Sequence, residues 1–148
     1  MRNGVLLLLL FASSANADRA IFDEACDILE EVVGEYLCED VRMPSLIEIR
    51  GNENMGNYDA WNVRVILRMG LEPNTRSRVL AHEYAHHILH VTGVAPATET
   101  MAEVCLSEEY AHELSHIYGK RYNHILAPGE VSWRERYPEC NWEVDSDA

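Results

Sequence analysis

The spacing of apolar residues predicts one helix followed by two strands. Over residues 20–36 apolar positions recur every three or four residues, as in an amphipathic helix. Residues 46–50 and 61–69 alternate apolar and polar positions instead, as half-buried strands do. The longer run turns one set of side chains to the same face: Trp61, Val63, Val65, Leu67 and Met69. The Gly- and Asn-rich residues 51–57 predict a loop between the two strands.

Two further helices follow the strands. Gly70 ends the alternating pattern, and Asn74 or Thr75 caps a helix that runs to about Thr92. A second helix is predicted over residues 98–118, before a proline-containing, irregular tail. This order of elements predicts an α+β fold, with a small mixed sheet packed against helices.

The first seventeen residues have the pattern of a secretory signal peptide. Arg2 supplies a positive start, residues 5–12 are apolar, and Ala15 and Ala17 form an A-x-A cleavage signature. We therefore predict a signal peptide over residues 1–17 and a single domain over residues 18–148. The mature protein is expected to be exported, to the periplasm or the medium.

Composition and charge narrow the possible partners. The 148 residues are 47% hydrophobic, which suits one folded domain. With 25 acidic and 12 basic residues the net charge is −13, which disfavours nucleic-acid binding. No apolar stretch approaches the length of a membrane span. We expect a monomer that acts on a peptide or protein substrate.

Four cysteines in an exported chain indicate disulfides. Cys26 and Cys38 lie close in sequence across the end of the first helix, and Cys105 is expected to face the tail that carries Cys140. We predict the pairs Cys26–Cys38 and Cys105–Cys140.

The candidate chemistry lies at His82, Glu83 and His86, an H-E-x-x-H motif within a predicted helix. At about 100° per residue the two imidazoles fall about 40° apart, so both can reach one ion. The apolar positions Leu80, Tyr84, Ile88 and Val91 form a separate stripe that can dock in the core. The same helix can therefore be buried on one side and hold a metal on another.

A catalytic zinc site needs a third protein ligand and one open position. Thr92 stands where the metzincin pattern has its third His, which excludes that pattern. Glu99 and Glu103 begin the next predicted helix and share a face. We favour Glu99 as the ligand, with Glu103 as the alternative ligand or as a group that orients a ligating His.

A second H-E-x-x-H spans His112 to His116. On a continuous helix these two histidines lie on the far side from Glu99, so we expect them to face solvent or to form a secondary pair. His87, His90 and His124 are interpreted as surface or supporting residues, with His90 able to line the cleft.

Residues 78–90 together with the Glu-x-x-Ala-Glu run at 99–103 resemble the zincin metallopeptidases that have a Glu third ligand. The similarity is to the minimal one-domain type, including the ImmA/IrrE-like peptidases, and it covers roughly residues 61–111. It implies a minimal zincin-like domain with an active-site helix and a second, ligand-bearing helix. It also implies that the strand at residues 61–69 pairs with an extended substrate. The longer acidic motif of the thermolysin-like enzymes is absent, which leaves the choice between Glu99 and Glu103 open.

These residues predict an exported zinc endopeptidase. Zn²⁺ would activate a water molecule, and Glu83 would act as the general base. The alternatives are an inactive zincin-like module that binds zinc and a partner, and a disulfide-linked helical protein whose histidines are incidental.

Overall fold

In the residues that the structure describes, long helices pack against a three-stranded mixed sheet. The computed structural model describes residues 2–95, 100–123 and 137–140, with side chains from residue 15 onward. The elements are α1 (Arg2–Val33), β1 (Ser45–Ile49), β2 (Gly56–Asp59), β3 (Arg64–Arg68), α2 (Pro73–Thr92), α3 (Met101–Tyr122) and a 3-10 turn over Pro138–Cys140. The α+β class and the small mixed sheet are confirmed.

The sheet has the strand order β1-β3-β2. β3 pairs in parallel with β1, where Ile47 lies opposite Ile66, and antiparallel with β2, where Tyr58 lies opposite Val65. Val65 and Leu67 of β3 are fully buried under the helices. Since β3 is hydrogen-bonded on both sides, it has no edge left for a substrate. The expectation that residues 61–69 pair with a substrate is therefore wrong.

The structure corrects two strand boundaries. The alternating pattern predicted a strand from Trp61, but Trp61 is 97% exposed and Val63 has a left-handed φ of 49°. These residues form the turn between β2 and β3, where Asp59 accepts hydrogen bonds from Asn62. β2 begins at Gly56, inside the stretch predicted to be a loop. The alternation of apolar and polar residues continues through the turn by coincidence, so the turn resembles a strand in sequence. β2 was not predicted because Gly and Asn have a low propensity for strands.

α1 packs across α2 and α3 and continues from the predicted signal peptide without a break. Its apolar side, including Phe22, Ala25 and Leu29, is buried in the core. Phe22 meets the ring of Tyr84 edge to face, with the ring centroids 5.2 Å apart. Of the helices in the described part of the chain, none is long and apolar enough to cross a membrane.

Local signals set the ends of α2 and α3. The side chain of Glu72 accepts the backbone N–H of Thr75, so the cap of α2 lies two residues before Asn74 and three before Thr75, the two predicted caps. Gly93 ends it in the left-handed conformation, with a φ of 81°. Thr100 caps α3 by accepting the N–H of Glu103. The predicted start of this helix at residue 98 lies outside the described residues.

Both predicted disulfides are present. Cys26–Cys38 links the segment after α1 back to that helix, and Cys105–Cys140 links the 3-10 turn to α3. The described residues contain no free cysteine.

Candidate metal centre

α2 is buried on most of its surface. Many of its polar side chains are therefore in contact with other protein groups instead of water. Leu80, Tyr84 and Ile88 are fully buried, as the apolar stripe predicted. His82 is 1% exposed and Glu83 3% exposed, on the part of the helix that carries the H-E-x-x-H motif. Ionisable side chains are buried to this degree only where partners satisfy them.

The two imidazoles of the motif converge with a carboxylate from α3. The Nε2 atoms of His82 and His86 lie 3.2 Å apart. Glu108 places Oε1 3.2 Å from Nε2 of His86 and Oε2 3.5 Å from Nε2 of His82. One donor atom from each residue lies within 4.8 Å of the other two. We call His82, His86 and Glu108 the metal cluster.

The spacing of these atoms fits a metal ion. In a tetrahedron with metal–ligand bonds of about 2.0–2.1 Å, neighbouring ligand atoms are roughly 3.3 Å apart. The 3.2 Å between the two Nε2 atoms and the 3.2 Å from Nε2 of His86 to Oε1 of Glu108 match two such edges, whereas the 3.5 Å contact to His82 is made by the other oxygen, Oε2. Two nitrogens and one carboxylate oxygen also form a usual donor set for a divalent transition metal. The metal cluster could therefore hold such an ion.

Two serines of α3 orient the imidazoles from behind. Ser115 Oγ donates to the carbonyl of Ala111, 3.0 Å away, and lies 2.7 Å from Nδ1 of His82. Because its one proton is used, Ser115 must accept from Nδ1–H, which leaves the Nε2 lone pair of His82 directed into the cluster. Ser107 Oγ lies 2.7 Å from Nδ1 of His86 in the same way. α3 thus supplies the carboxylate and both orienting hydroxyls.

The electrostatics of the cluster favour one positive charge at its centre. Burial, which outweighs the opposing effect of Glu108 and is reinforced by His86, lowers the pKa of His82 to about 4. Burial also opposes a charge on His86, but the hydrogen bond and negative charge of Glu108 raise its pKa above the ordinary value. Burial likewise opposes ionisation of Glu108, but the two histidines that face this carboxyl hold its pKa well below the usual range. A carboxylate facing two imidazoles is thereby suited to one bound cation.

Glu83 lies beside the metal cluster and is not one of its members. Its negative charge contributes to the raised pKa of His86, so the carboxylate is near that ring. β2 closes over it: a Cβ at Gly56 would lie 2.6 Å from Cγ1 of Val79 and 3.1 Å from Cγ of Glu83. Only glycine allows the strand to approach α2 this closely. Glu83 is thus a confined carboxylate next to the possible ion.

Comparison of the chain with protein family models, with curated proteins and with solved structures gives no match. Function is therefore argued from the chemistry of the residues themselves.

The acid in the metal cluster, Glu108, is neither of the two acids predicted from the sequence. Glu99 lies outside the described residues, and Glu103 is half-buried at the start of α3, outside the metal cluster. Glu103 and Glu108 are five residues apart, about 140° around the helix, so they face different directions. The signal for Glu108 was its position in the stripe that α3 buries: Ser107, Glu108, Ala111, Leu114, Ser115 and Tyr118. A carboxylate within a buried stripe needs a partner.

The second H-E-x-x-H divides between two environments. His116 is exposed, as expected. His112 is half-buried one turn beyond Glu108, and its proximity contributes to the lowered pKa of His82. The expectation that both histidines face away from the site is wrong for His112. His112 is far from Glu99 in angle around α3, but it lies only about 40° from Glu108, the acid that the cluster contains.

Two more histidines of α2 meet a tyrosine of β2. Tyr58 Oη lies 3.1 Å from Nδ1 of His87 and 2.9 Å from Nδ1 of His90. His87 Nε2 donates to the carbonyl of Arg42, 2.7 Å away. We call Tyr58, His87 and His90 the Tyr58 cluster. Sequence analysis interpreted both histidines as surface or supporting residues, but His87 is buried and His90 half-buried.

Proposed function

We propose that the protein is an exported zinc endopeptidase that hydrolyses peptide bonds with a metal-activated water. One observation carries the proposal: the metal cluster joins two imidazoles to one carboxylate, and a separate buried carboxylate, Glu83, lies next to it on α2. Three protein ligands and one free position are typical of catalytic rather than structural zinc sites. His and carboxylate donors without thiolates favour the same interpretation.

Zinc bound by His82, His86 and Glu108 would supply a Lewis acid that lowers the pKa of water and polarises a peptide carbonyl. Glu83 then accepts the proton of the attacking water and passes it to the leaving amine. Its burial keeps this carboxylate out of bulk solvent, and Gly56 restricts its movement. Ser107 and Ser115 keep the imidazoles in the orientation that binding requires.

β2 is the strand best suited to align an extended substrate, because it lies at the edge of the sheet and directly over Glu83. Met55, just before it, accepts the backbone N–H of Arg68 in β3. Backbone groups alternate sides along a strand, so those of Gly56 and Tyr58 point away from β3. They are positioned to pair with a peptide laid beside the active-site helix.

Export is supported by the two disulfides, which form and persist in oxidising compartments. Cleavage after Ala17 would leave Asp18 as the first residue, and its carboxylate pairs with Arg76 of α2 at 2.9 Å. The new end of α1 would therefore stay attached to the domain. We expect N-terminal sequencing of the exported protein to begin at Asp18, and retention of Met1 would contradict the predicted processing.

The decisive experiment separates metal binding from hydrolysis. Glu83→Gln keeps the size of the side chain but cannot accept a proton, so the variant should retain zinc. Peptide hydrolysis should fall by about 10²–10⁴-fold, as expected for a lost general base. Zinc is measured by elemental analysis of the purified protein, and cleavage by mass spectrometry of a peptide library.

The matched control is Glu113→Gln, which makes the same change in the second H-E-x-x-H. Glu113 is exposed, so this variant should cleave as fast as wild type. If Glu83→Gln is equally active, Glu83 is not the base. If the zinc-loaded wild type cleaves no peptide, the protein is a zinc-binding module without peptidase activity.

A further inference from the structure

A cavity of about 610 Å³ lies at the end of α2, away from the metal cluster. Its walls come from residues 35–43, which follow α1, from the last turn of α2, and from the turn between β2 and β3. We call it the α1–α2 cavity. Its volume is in the range of sites that hold a small organic ligand or a few peptide side chains. Val91 and His86 lie about 140° apart around α2, so this cavity and the metal cluster use different sides of the helix.

The lining combines apolar residues with polar ones, and acidic residues outnumber basic ones among its charged side chains. Seven of the twelve lining residues are apolar or aromatic. Val91 was predicted to belong to the core stripe of α2, but it lies in this cavity and is 45% exposed. Glu35 and Asp40 contribute two carboxylates against one guanidinium, that of Arg42. His87 also lines the cavity, where its Nε2 donates to the carbonyl of Arg42.

Two helix ends add to the negative potential. α1 ends at Val33, two residues before Glu35, and its last turn carries no basic residue. α2 ends at Thr92, which lines the cavity itself, and His90 is the one basic residue in its last turn. Unpaired carbonyls give each helix C-terminus a partial negative charge that attracts cations. Both the carboxylates and the backbone therefore favour a positively charged group here.

The walls of the cavity are fixed before any ligand arrives. The disulfide Cys26–Cys38 anchors the segment after α1 to that helix. The carboxylate of Glu30 accepts the backbone N–H groups of Leu37 and Cys38, at 2.6 and 3.3 Å. On the opposite wall, His87 is held by Arg42 and Tyr58. A ligand would thus bind without the cost of ordering these segments.

We propose that the α1–α2 cavity binds a peptide segment in which a Lys or Arg side chain is flanked by apolar residues. The apolar wall takes the flanking side chains, and Glu35, Asp40 and the two helix ends hold the cation. The net charge of −13 attracts the same class of peptide from a distance. This binding does not require the metal cluster or peptidase activity. If the protein is a peptidase, the cavity selects substrates that carry such a segment.

The test uses a matched pair of fluorescein-labelled peptides, Gly-Leu-Arg-Leu-Gly and the same peptide with neutral citrulline in place of Arg. Binding is measured by fluorescence anisotropy to the full-length Glu83→Gln protein, so that no peptide is cleaved. Adding Glu35→Gln and Asp40→Asn should weaken the Arg peptide about fivefold to tenfold, as for the loss of two partly exposed ion pairs. The citrulline peptide should bind equally to both proteins.

The control pair Asp27→Asn and Glu109→Gln removes the same charge from exposed positions outside the cavity. It should change the affinity for the Arg peptide less than twofold. An equal loss in this control would mean that the general field of the protein attracts the peptide, and would overturn the site. Val91→Trp, which fills the cavity, should abolish binding of both peptides, and binding that survives it would also overturn the proposal.

Sedimentation of the same proteins tests whether a second copy of the chain occupies the cavity instead of a peptide. We expect a monomer for both Glu83→Gln and its Val91→Trp derivative. A dimer that Val91→Trp dissociates would mean that a second copy of the chain covers the cavity, and the peptide proposal would be wrong. Failure of the zinc-loaded wild type to hydrolyse any peptide, with peptide binding intact, would contradict the proposed peptidase and leave this site standing.

Discussion

α2 carries two pairs of histidines, and the imidazoles of the two pairs have different kinds of partner. In the Tyr58 cluster, His87 donates to the Arg42 carbonyl through Nε2, so its Nδ1 accepts the hydroxyl proton of Tyr58. The hydroxyl oxygen in turn accepts from Nδ1 of His90. Each donor meets an acceptor, and the chain of bonds needs no ion.

In the metal cluster the two imidazoles and a carboxylate face one another. Ser115 uses the donor of His82, so the Nε2 atoms of His82 and His86 face each other and a carboxylate. Two lone pairs and an anion at 3.2–3.5 Å are stable together only around a proton or a metal cation. A buried histidine has two ring nitrogens, and the two clusters differ in what the second one faces. In the Tyr58 cluster it faces a hydrogen-bond partner, whereas in the metal cluster it faces the other ligand atoms and could bind a metal.

The largest expected effect is the loss of zinc from the metal cluster alone. Glu108→Gln should weaken zinc binding by more than about 100-fold, because the loss of a ligand exceeds the 10–100-fold effect of an outer group. His90→Ala, in the Tyr58 cluster, should leave the zinc affinity within about twofold. Both affinities are measured by competition with a chromophoric chelator.

The same measurement decides between the acids named from sequence. Glu103→Gln and Glu99→Gln are the matched controls for Glu108→Gln. Retention of zinc by Glu108→Gln together with its loss in Glu99→Gln would restore the ligand favoured by the sequence.

A smaller effect is expected from the hydroxyls behind the imidazoles. Ser115→Ala removes the acceptor that fixes the tautomer of His82, and zinc affinity should fall about 10–100-fold. Ser107→Ala should act in the same direction through His86. The nitrogen chemical shifts of the His82 ring in the metal-free protein provide a readout that does not depend on zinc.

Ser77→Ala is the control for this pair, because Ser77 also donates to a carbonyl four residues earlier, that of Pro73. It should leave both the tautomer of His82 and the zinc affinity unchanged. An unaltered tautomer in Ser115→Ala would show that the hydroxyl does not orient the ring.

The smallest effect concerns the Tyr58 cluster. Tyr58→Phe removes the hydroxyl and leaves Nδ1 of the buried His87 without its donor, which should lower the free energy of unfolding by about 1–3 kcal/mol. Zinc affinity should not change. Urea denaturation measures the loss, with Tyr36→Phe as an exposed control. Weaker zinc binding in Tyr58→Phe would mean that the two clusters are coupled through α2.

Much of this arrangement could be read from local sequence. The H-E-x-x-H helix, the core of β3 and the disulfide Cys26–Cys38 follow from periodicity and chain proximity, which act over short distances. Leu80, Tyr84 and Ile88 are buried as their spacing predicted. Val91 continues the same spacing but lies where α2 emerges from the core, so only the tertiary structure exposes it.

Glu108 and β2 could not be read in this way, for different physical reasons. The acids at the start of α3 are close in sequence to the H-E-x-x-H motif, as expected of a ligand. Glu108 is distinguished only because it lies on the side of α3 that packs on α2. β2 is held by its pairing with β3 and by its close approach to α2 at Gly56. Both depend on contacts between distant parts of the chain, which residue propensities do not encode.

The division of the metal cluster between α2 and α3 links metal binding to the docking of two helices. Glu108, Ser107 and Ser115 move together with α3, whereas the imidazoles belong to α2. An ion bound by residues of both helices would hold them together. When the free metal concentration is a hundred times the dissociation constant, mass action stabilises the docked helices by about 2.7 kcal/mol. The availability of metal where the protein resides would then govern how long the domain survives, as well as whether it has a reactive centre.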